Sequence, residues 1–321
     1  MGLLVIAVVA GFAAQMVNGS LGMGFGTITA TVLLGLGIAP ALASASINLA
    51  TVASDVVSGV AHHRLGNVHW PTALALGIPG AIGGFAGAWA LTSLANLDAA
   101  TPVTSGLLIG LGLVIVWRFV RSGERARTGV AAQRPRTVAA PPTGLVGGFL
   151  NAVGGGGWGP VAMPVMLTSS RLAPHQVVGS VSVGEIFAAG AAVIGFWVTL
   201  PDGMAVVWPL VIGLAAGGMA AAPLAAWLTR KLPTAHLGAT IGFLVVALNL
   251  RTFSGALDLP TAVTASALVL VVAAWVASVV VTLRRSATGA SRPVPDAPDP
   301  APSATNADRV DPDELEPARL V

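Results

Sequence analysis

The chain has no cysteine and no tyrosine, and only 9% of its 321 residues are charged. Without cysteine there is no disulfide, no thiolate metal site and no cysteine nucleophile. Without tyrosine, any aromatic belt at a membrane interface rests on the eight tryptophans. The shortage of charge excludes more. A soluble domain is about 25% charged, and here 12 of the 29 charged side chains lie in residues 284–321 and 7 in residues 118–136. The 10 that remain cannot coat a water-facing surface over the other 264 positions. With 55% hydrophobic residues and a mean hydropathy of +0.83, the solvent for most of this chain is lipid. The net charge of +3 comes from arginines at helix ends and in one loop, so it points to no nucleic-acid partner.

A hydrocarbon core of about 30 Å needs about 20 apolar residues of helix. Residues 41–61, 71–94, 102–120, 174–200, 205–228, 236–256 and 260–283 meet that length. Two further apolar regions, 2–38 and 144–168, are interrupted by glycine. The interruptions read Asn18-Gly-Ser-Leu-Gly-Met-Gly-Phe-Gly26 and Asn151-Ala-Val-Gly-Gly-Gly-Gly-Trp-Gly159. Glycine runs break helices, and backbone freed at membrane depth must be shielded by protein or line a cavity. Both regions are therefore expected to be hairpins or broken helices, re-entrant or fully spanning. The N-terminal segment lacks the basic n-region of a signal peptide and returns later in the chain, so it reads as mature structure.

The return is an internal repeat. A shift of 133 residues lays Gly11 on Gly144, Asn18 on Asn151, Gly22 on Gly155, Gly24 on Gly157 and Gly26 on Gly159. After a one-residue gap Pro40 meets Pro174 and Ser46 meets Ser180. Residues 1–120 and 143–256 are thus read as two transmembrane repeats. A basic cytoplasmic connector (121–142) joins them, and an extra helix (257–285) and a disordered cytoplasmic tail (286–321) follow. Loop charge sets the orientation. Arg64 marks loop 62–70 as cytoplasmic while its counterpart at 201–203 is acidic; the next pair of loops reverses, with Asp98 against Arg230-Lys231. The repeats are then inverted, each with a glycine-broken hairpin and three spans. The N-terminus lies outside a cell membrane and the tail inside. The fold class is all-α and polytopic.

Inverted repeats with paired broken elements are the architecture of secondary carriers, with substrate held where the breaks meet. Helix N-termini and successive glycine N–H groups at such breaks bind anions. The candidate substrate-binding residues are Asn18, Gly22, Gly24, Gly26, Ser46, Asn48, Asn151, Gly155, Gly156, Gly157, Trp158, Ser180 and Ser182. Scattered glycines such as Gly83, Gly84, Gly217 and Gly218 are read as packing residues. Within 41–61, Ser44, Asn48, Thr51, Asp55 and Ser58 recur at helical spacing, so they share one face. In the second repeat Ser182 aligns with Asn48 and Glu185 with Thr51. A charged acid at the centre of a membrane helix costs about 2.5–3.5 kcal/mol on insertion scales and usually faces a cavity or relays protons. No basic residue lies deep in any span to pair with these acids. Glu185, and more weakly Asp55, are expected to couple transport to protons.

Other chemistries fail. His62, His63 and His69 sit in a loop and read as interfacial histidines, not a metal site. The glycine runs lack the Lys-Ser/Thr of a phosphate-binding loop and follow no strand. No catalytic constellation has a scaffold, so neither an enzyme nor a cofactor is expected.

The pattern from Gly11 through Asn18–Gly26, with Ala43-Ser-Ala-Ser46 and Arg64-Leu-Gly-Asn-Val-His-Trp70, resembles the first half of the TauE/SafE sulfite exporter family (TSUP). Gly144, Gly154–Pro160, Gly179-Ser180 and Leu228-Thr-Arg-Lys-Leu-Pro233 resemble its second half, so the resemblance covers about residues 5–256. It implies a carrier that moves sulfite, sulfonates or related organic anions, usually outward. The partners expected are a small anionic substrate and the lipid bilayer, with the oligomeric state open. Two rival readings are a carrier of another solute whose acids serve a cation, and a membrane scaffold that transports nothing.

Overall fold

The computed structural model describes residues 2–21, 25–95, 99–121, 137–200, 208–228 and 234–289. Gly22, Gly24, most of the basic connector and the tail beyond 289 lie outside the described residues. Eleven helices and no strand occur among those described. They are α1 (Gly2–Leu21), α2 (Phe25–Gly35), α3 (Pro40–Arg64), α4 (Trp70–Ala95), α5 (Ala100–Arg121), α6 (Ala140–Gly154), α7 (Trp158–Ser169), α8 (Pro174–Thr199), α9 (Trp208–Leu228), α10 (Thr234–Ala256) and α11 (Thr261–Gly289).

The apolar stretches become α3, α4, α5, α8, α9, α10 and α11, and the two interrupted regions become the pairs α1–α2 and α6–α7. At 1.5 Å per residue, the 11 residues of α2 and 12 of α7 reach only about 16–18 Å, half of a bilayer core. Helix α6 begins at Ala140, ahead of the expected start at 143, because Pro141 and Pro142 fall in its first turn. There a proline has no intrahelical N–H bond to lose and its fixed φ suits the helix. Similarly α11 runs on to Gly289, past the expected end at 285.

The surface confirms the solvent. Tryptophans 70, 89, 117, 197 and 208 and many large aliphatic side chains are exposed on the helices. On a water-soluble monomer so much contiguous apolar surface would drive association.

Glycines decide which helices meet. Gly213 and Gly217 on α9 sit against Leu4, Ala7 and Val8 of α1, which runs parallel to it. In the same way Gly144 and Gly148 on α6 sit against Leu76 and Gly80 of the parallel α4. Exchanging each of α1–α5 for its sequence counterpart in α6–α10 turns the α1–α9 contact into the α6–α4 contact. Counterpart helices also pack on each other, α3 on α8 and α5 on α10. Both pairs run antiparallel: Gly59 faces Val183 and Ile186 while Asn67 faces Gly179, and Gly106 faces Phe253 while Gly112 faces Gly242. A Cβ at Gly83, Gly84 or Gly217 would strike neighbouring backbone carbonyls, so these glycines serve close packing.

Candidate transport site at the paired helix breaks

Helix α6 ends where Gly155 turns left-handed (φ 71°) and caps it. Its last carbonyls cannot be satisfied within the helix, and at this depth water is not freely supplied. Hydroxyls from α2, α3 and α5 take them or the carbonyl just beyond. Ser44 on α3 donates to the Ala152 carbonyl and Thr104 on α5 to Val153 (3.2 Å), while Thr27 on α2 donates to Gly156 (2.7 Å). All three hydroxyl residues are buried. The break after α6 is thereby tied to α2, α3 and α5.

The breaks themselves touch. A Cβ at Gly26 would fall on the backbone of Gly155 and Gly156, and one at Gly156 on that of Gly26 and Thr27. Only glycine lets two main chains cross so closely. Beside this crossing lies a buried amide relay. Asn151 donates from Nδ2 to Asn48 Oδ1 (2.8 Å), and Asn48 donates from Nδ2 to the Ser44 carbonyl (2.8 Å) and hydroxyl (3.2 Å). The first amide of α7, Trp158 N–H, reaches Asn151 Oδ1 at 3.5 Å. A second file ends at Thr27 on the other side of the crossing: Asn249 on α10 donates to Thr31 Oγ1 (2.7 Å), and Thr31 to the Thr27 carbonyl (2.8 Å).

The structure therefore gathers Gly26, Asn48, Asn151, Gly155, Gly156, Gly157 and the Trp158 amide into one place. Of the other expected site groups, the Trp158 indole and Ser180 are engaged elsewhere. The Trp158 indole is fully buried against Gly80, Gly147 and Gly184, and its N–H donates to the Val181 carbonyl (3.0 Å). Ser180 accepts the His69 backbone N–H (2.9 Å) at the end of the α3–α4 loop. Ser46 is buried, its hydroxyl without a partner among the described residues. Asn18 and Ser182 are partly buried on α1 and α8.

Seven residues along α3 from Asn48, about 10 Å away by helical rise, Asp55 meets Glu185 of α8, their side chains within hydrogen-bonding reach. Asp55 Oδ2 is buried with no hydrogen-bond partner among the described residues. The polar stripe on α3 thus divides into an amide half at the breaks and an acid half on α8. Thr27, Thr31, Thr104 and Asn249 were not singled out from sequence. Three are threonines in apolar helices, where a hydroxyl most often bonds its own helix; among them only Thr31 keeps such a bond in addition to its role between helices. Nothing in local spacing separates a hydroxyl that caps a distant break. No group of three or more potential metal ligands occurs among the described residues.

Long apolar helices, exposed tryptophans and helix breaks joined by buried polar groups define a polytopic membrane protein of the transporter class. The chain belongs to the sulfite exporter TauE/SafE family, whose sequence model matches residues 7–252. It is also 38% identical over 284 residues to a protein of Bacillus subtilis (strain 168) described as "Probable membrane transporter protein YtnM", covering 88% of this chain and 93% of that one. No solved structure matches the chain.

Proposed function

We propose that the chain is a secondary carrier that exports a small sulfur-containing or organic anion, such as sulfite or a sulfonate, across the cell membrane. The observation that carries this reading is the crossing of the two breaks at Gly26 and Gly156 beside the Asn48–Asn151 pair. The antiparallel run of the counterpart helices α3/α8 and α5/α10 supports two inverted repeats, the arrangement in which such crossings hold substrate. The basic residues at 64, 121–136, 171 and 230–231, read by loop charge, favour the N-terminus outside and the tail in the cytoplasm.

With no lysine or arginine along α1–α4 short of Arg64, or in α6–α9, an anion here is held by dipoles. Asn48, Asn151, Ser46, Ser182, Asn18 and the amides of Gly155–Trp158 are the groups for that task. Trp158 and Ser180 contribute through the frame, since their side-chain groups already serve Val181 and His69. Dipolar binding suits a compact oxyanion that must be released quickly. Protons enter through Glu185 with Asp55 beside it. Counterflow in proteoliposomes tests the reading: accelerated exchange of labelled sulfite or a short sulfonate is expected, and no exchange with any small anion would overturn it.

A further inference from the structure

We infer that Asp55 and Glu185 form a one-proton clasp between α3 and α8, closed while a single proton lies between the two carboxyls and open once it leaves. The inference rests on the carrier reading above and names the device that links its proton to movement.

Two carboxyl groups hydrogen-bond only when one of them carries the proton that the other accepts; ionised together at that range, they repel. The two acids lie within side-chain reach of each other across α3 and α8, on the antiparallel face where Gly59, one turn from Asp55, packs on Val183 and Ile186 on either side of Glu185. Among the described residues nothing else nearby can set their charge. Helices α2, α4, α6, α7 and α9, which pack on α3 or α8, hold no titratable or charged residue. Arg118 and Arg121 of α5 lie in its last turn. The remaining groups on the two helices are His62, His63 and Arg64 at the end of α3 and His175 at the start of α8. The counterparts of Glu185 and Asp55 in the repeat are Thr51 and Ala189, so the chain carries one clasp and not a symmetric pair.

The packing around the pair suits a joint that opens. Helix α8 is locked to α4 by backbone: a Cβ at Gly84 would strike the Ala188 carbonyl, and Gly195 faces Ala88 and the Phe85 carbonyl. Beside the acids, α3 meets α8 through Gly59, whose Cβ position lies an ordinary 3.4 Å from side-chain atoms of Val183 and Ile186. Loss of the shared proton leaves two carboxylates pushing on the looser of the two interfaces.

The absence of cysteine allows a direct test. A Gly59→Cys/Val183→Cys pair is introduced into the full chain, alone and with Glu185→Gln or Asp55→Asn, and oxidative cross-linking is followed from pH 5 to 9. Thiol oxidation itself quickens as pH rises, so the chemistry alone would raise the yield. The clasp predicts that the parent pair cross-links several-fold less at pH 9 than at pH 5. In either amide variant, where the amide donates at every pH, the fall disappears. Identical profiles in parent and amide variants would overturn the clasp whatever transport shows. A fall confined to the parent, without exchange of any anion, would leave the clasp standing and sink the substrate reading instead.

Discussion

Asn151 on α6 donates a 2.8 Å hydrogen bond to Asn48 on α3, and both side chains are almost completely buried. The pair joins α6, which ends at the Gly155 break, to the long apolar helix α3. Asn151→Ala removes the donor and leaves Asn48 Oδ1 and the Trp158 amide facing apolar surroundings. Hydrogen bonds between membrane helices couple by about 0.6 kcal/mol on average and up to about 1.7 kcal/mol. A double-mutant cycle with Asn48→Ala, read by thermal unfolding in detergent, should fall in that range, towards its top because both side chains are buried. Additive losses would show that the two amides act separately.

Thr27→Val keeps the shape of a buried side chain and deletes only its hydroxyl. The Gly156 carbonyl then loses the bond it accepts at 2.7 Å. An orphaned buried acceptor costs about 1–3 kcal/mol, so a lower unfolding temperature is expected with unchanged helical content. Thr252→Val, on the exposed side of α10, is the control: its hydroxyl bonds only within its own helix, and no shift is expected.

The long helices were legible because lipid imposes length and apolarity together: the seven long stretches match helices closely, and five of these are long and apolar enough among the described residues to cross a membrane. The breaks were legible for a different reason: glycines in step with Asn18 and Asn151 repeat across the chain. What the glycines do was only half visible. Gly156 is crowded by the main chain at Gly26, a contact between residues 130 apart that no local pattern encodes. The fates of the Trp158 indole and Ser180 are likewise set by partners at Val181 and His69. The meeting of Asp55 with Glu185 depends on the antiparallel crossing of α3 and α8, and loop charge alone gives direction without register.

Gly156→Ala should be among the most damaging small substitutions in the chain. The added methyl meets the Thr27 nitrogen and the Gly26 main chain, and neither can swing aside like a side chain. Overpacking of this kind costs about 1–3 kcal/mol or more. Gly190→Ala on α8 adds the same methyl to open space, where alanine is favoured over glycine in a helix by up to about 1 kcal/mol. Yield of monodisperse protein and melting temperature should fall for the first and hold or rise for the second. Equal behaviour would mean that the breaks are not in contact.

Trp158 separates packing from hydrogen bonding. Trp158→Ala empties the slot between Gly80, Gly147 and Gly184 and should cost about 3–5 kcal/mol. Trp158→Phe gives up the bond to Val181 but keeps most of the ring, and phenylalanine already stands at the counterpart, Phe25, where it packs on Gly218. A loss of about 0.5–1.5 kcal/mol with retained transport is expected. If the phenylalanine variant folds normally but loses transport entirely, the indole N–H has a role beyond the frame.

Membrane sidedness tests the inverted arrangement itself. Gly37 lies between α2 and α3, Gly66 between α3 and α4, Arg171 between α7 and α8, and Asp258 between α10 and α11. With each of the pairs α1–α2 and α6–α7 entering and leaving on one side, counting spans from an outside N-terminus puts 37 and 258 outside and 66 and 171 in the cytoplasm. The packing agrees for one pair, because Asn67 and Gly179 are in contact at one end of the α3–α8 crossing. Single cysteines at these four positions in the cysteine-free chain should react with a membrane-impermeant maleimide on whole cells at 37 and 258 only. Positions 66 and 171 should react only after permeabilisation. Labelling of 37 and 66 from the same face would mean that α3 does not span, and the meeting point of the two breaks would then lie outside the bilayer midplane.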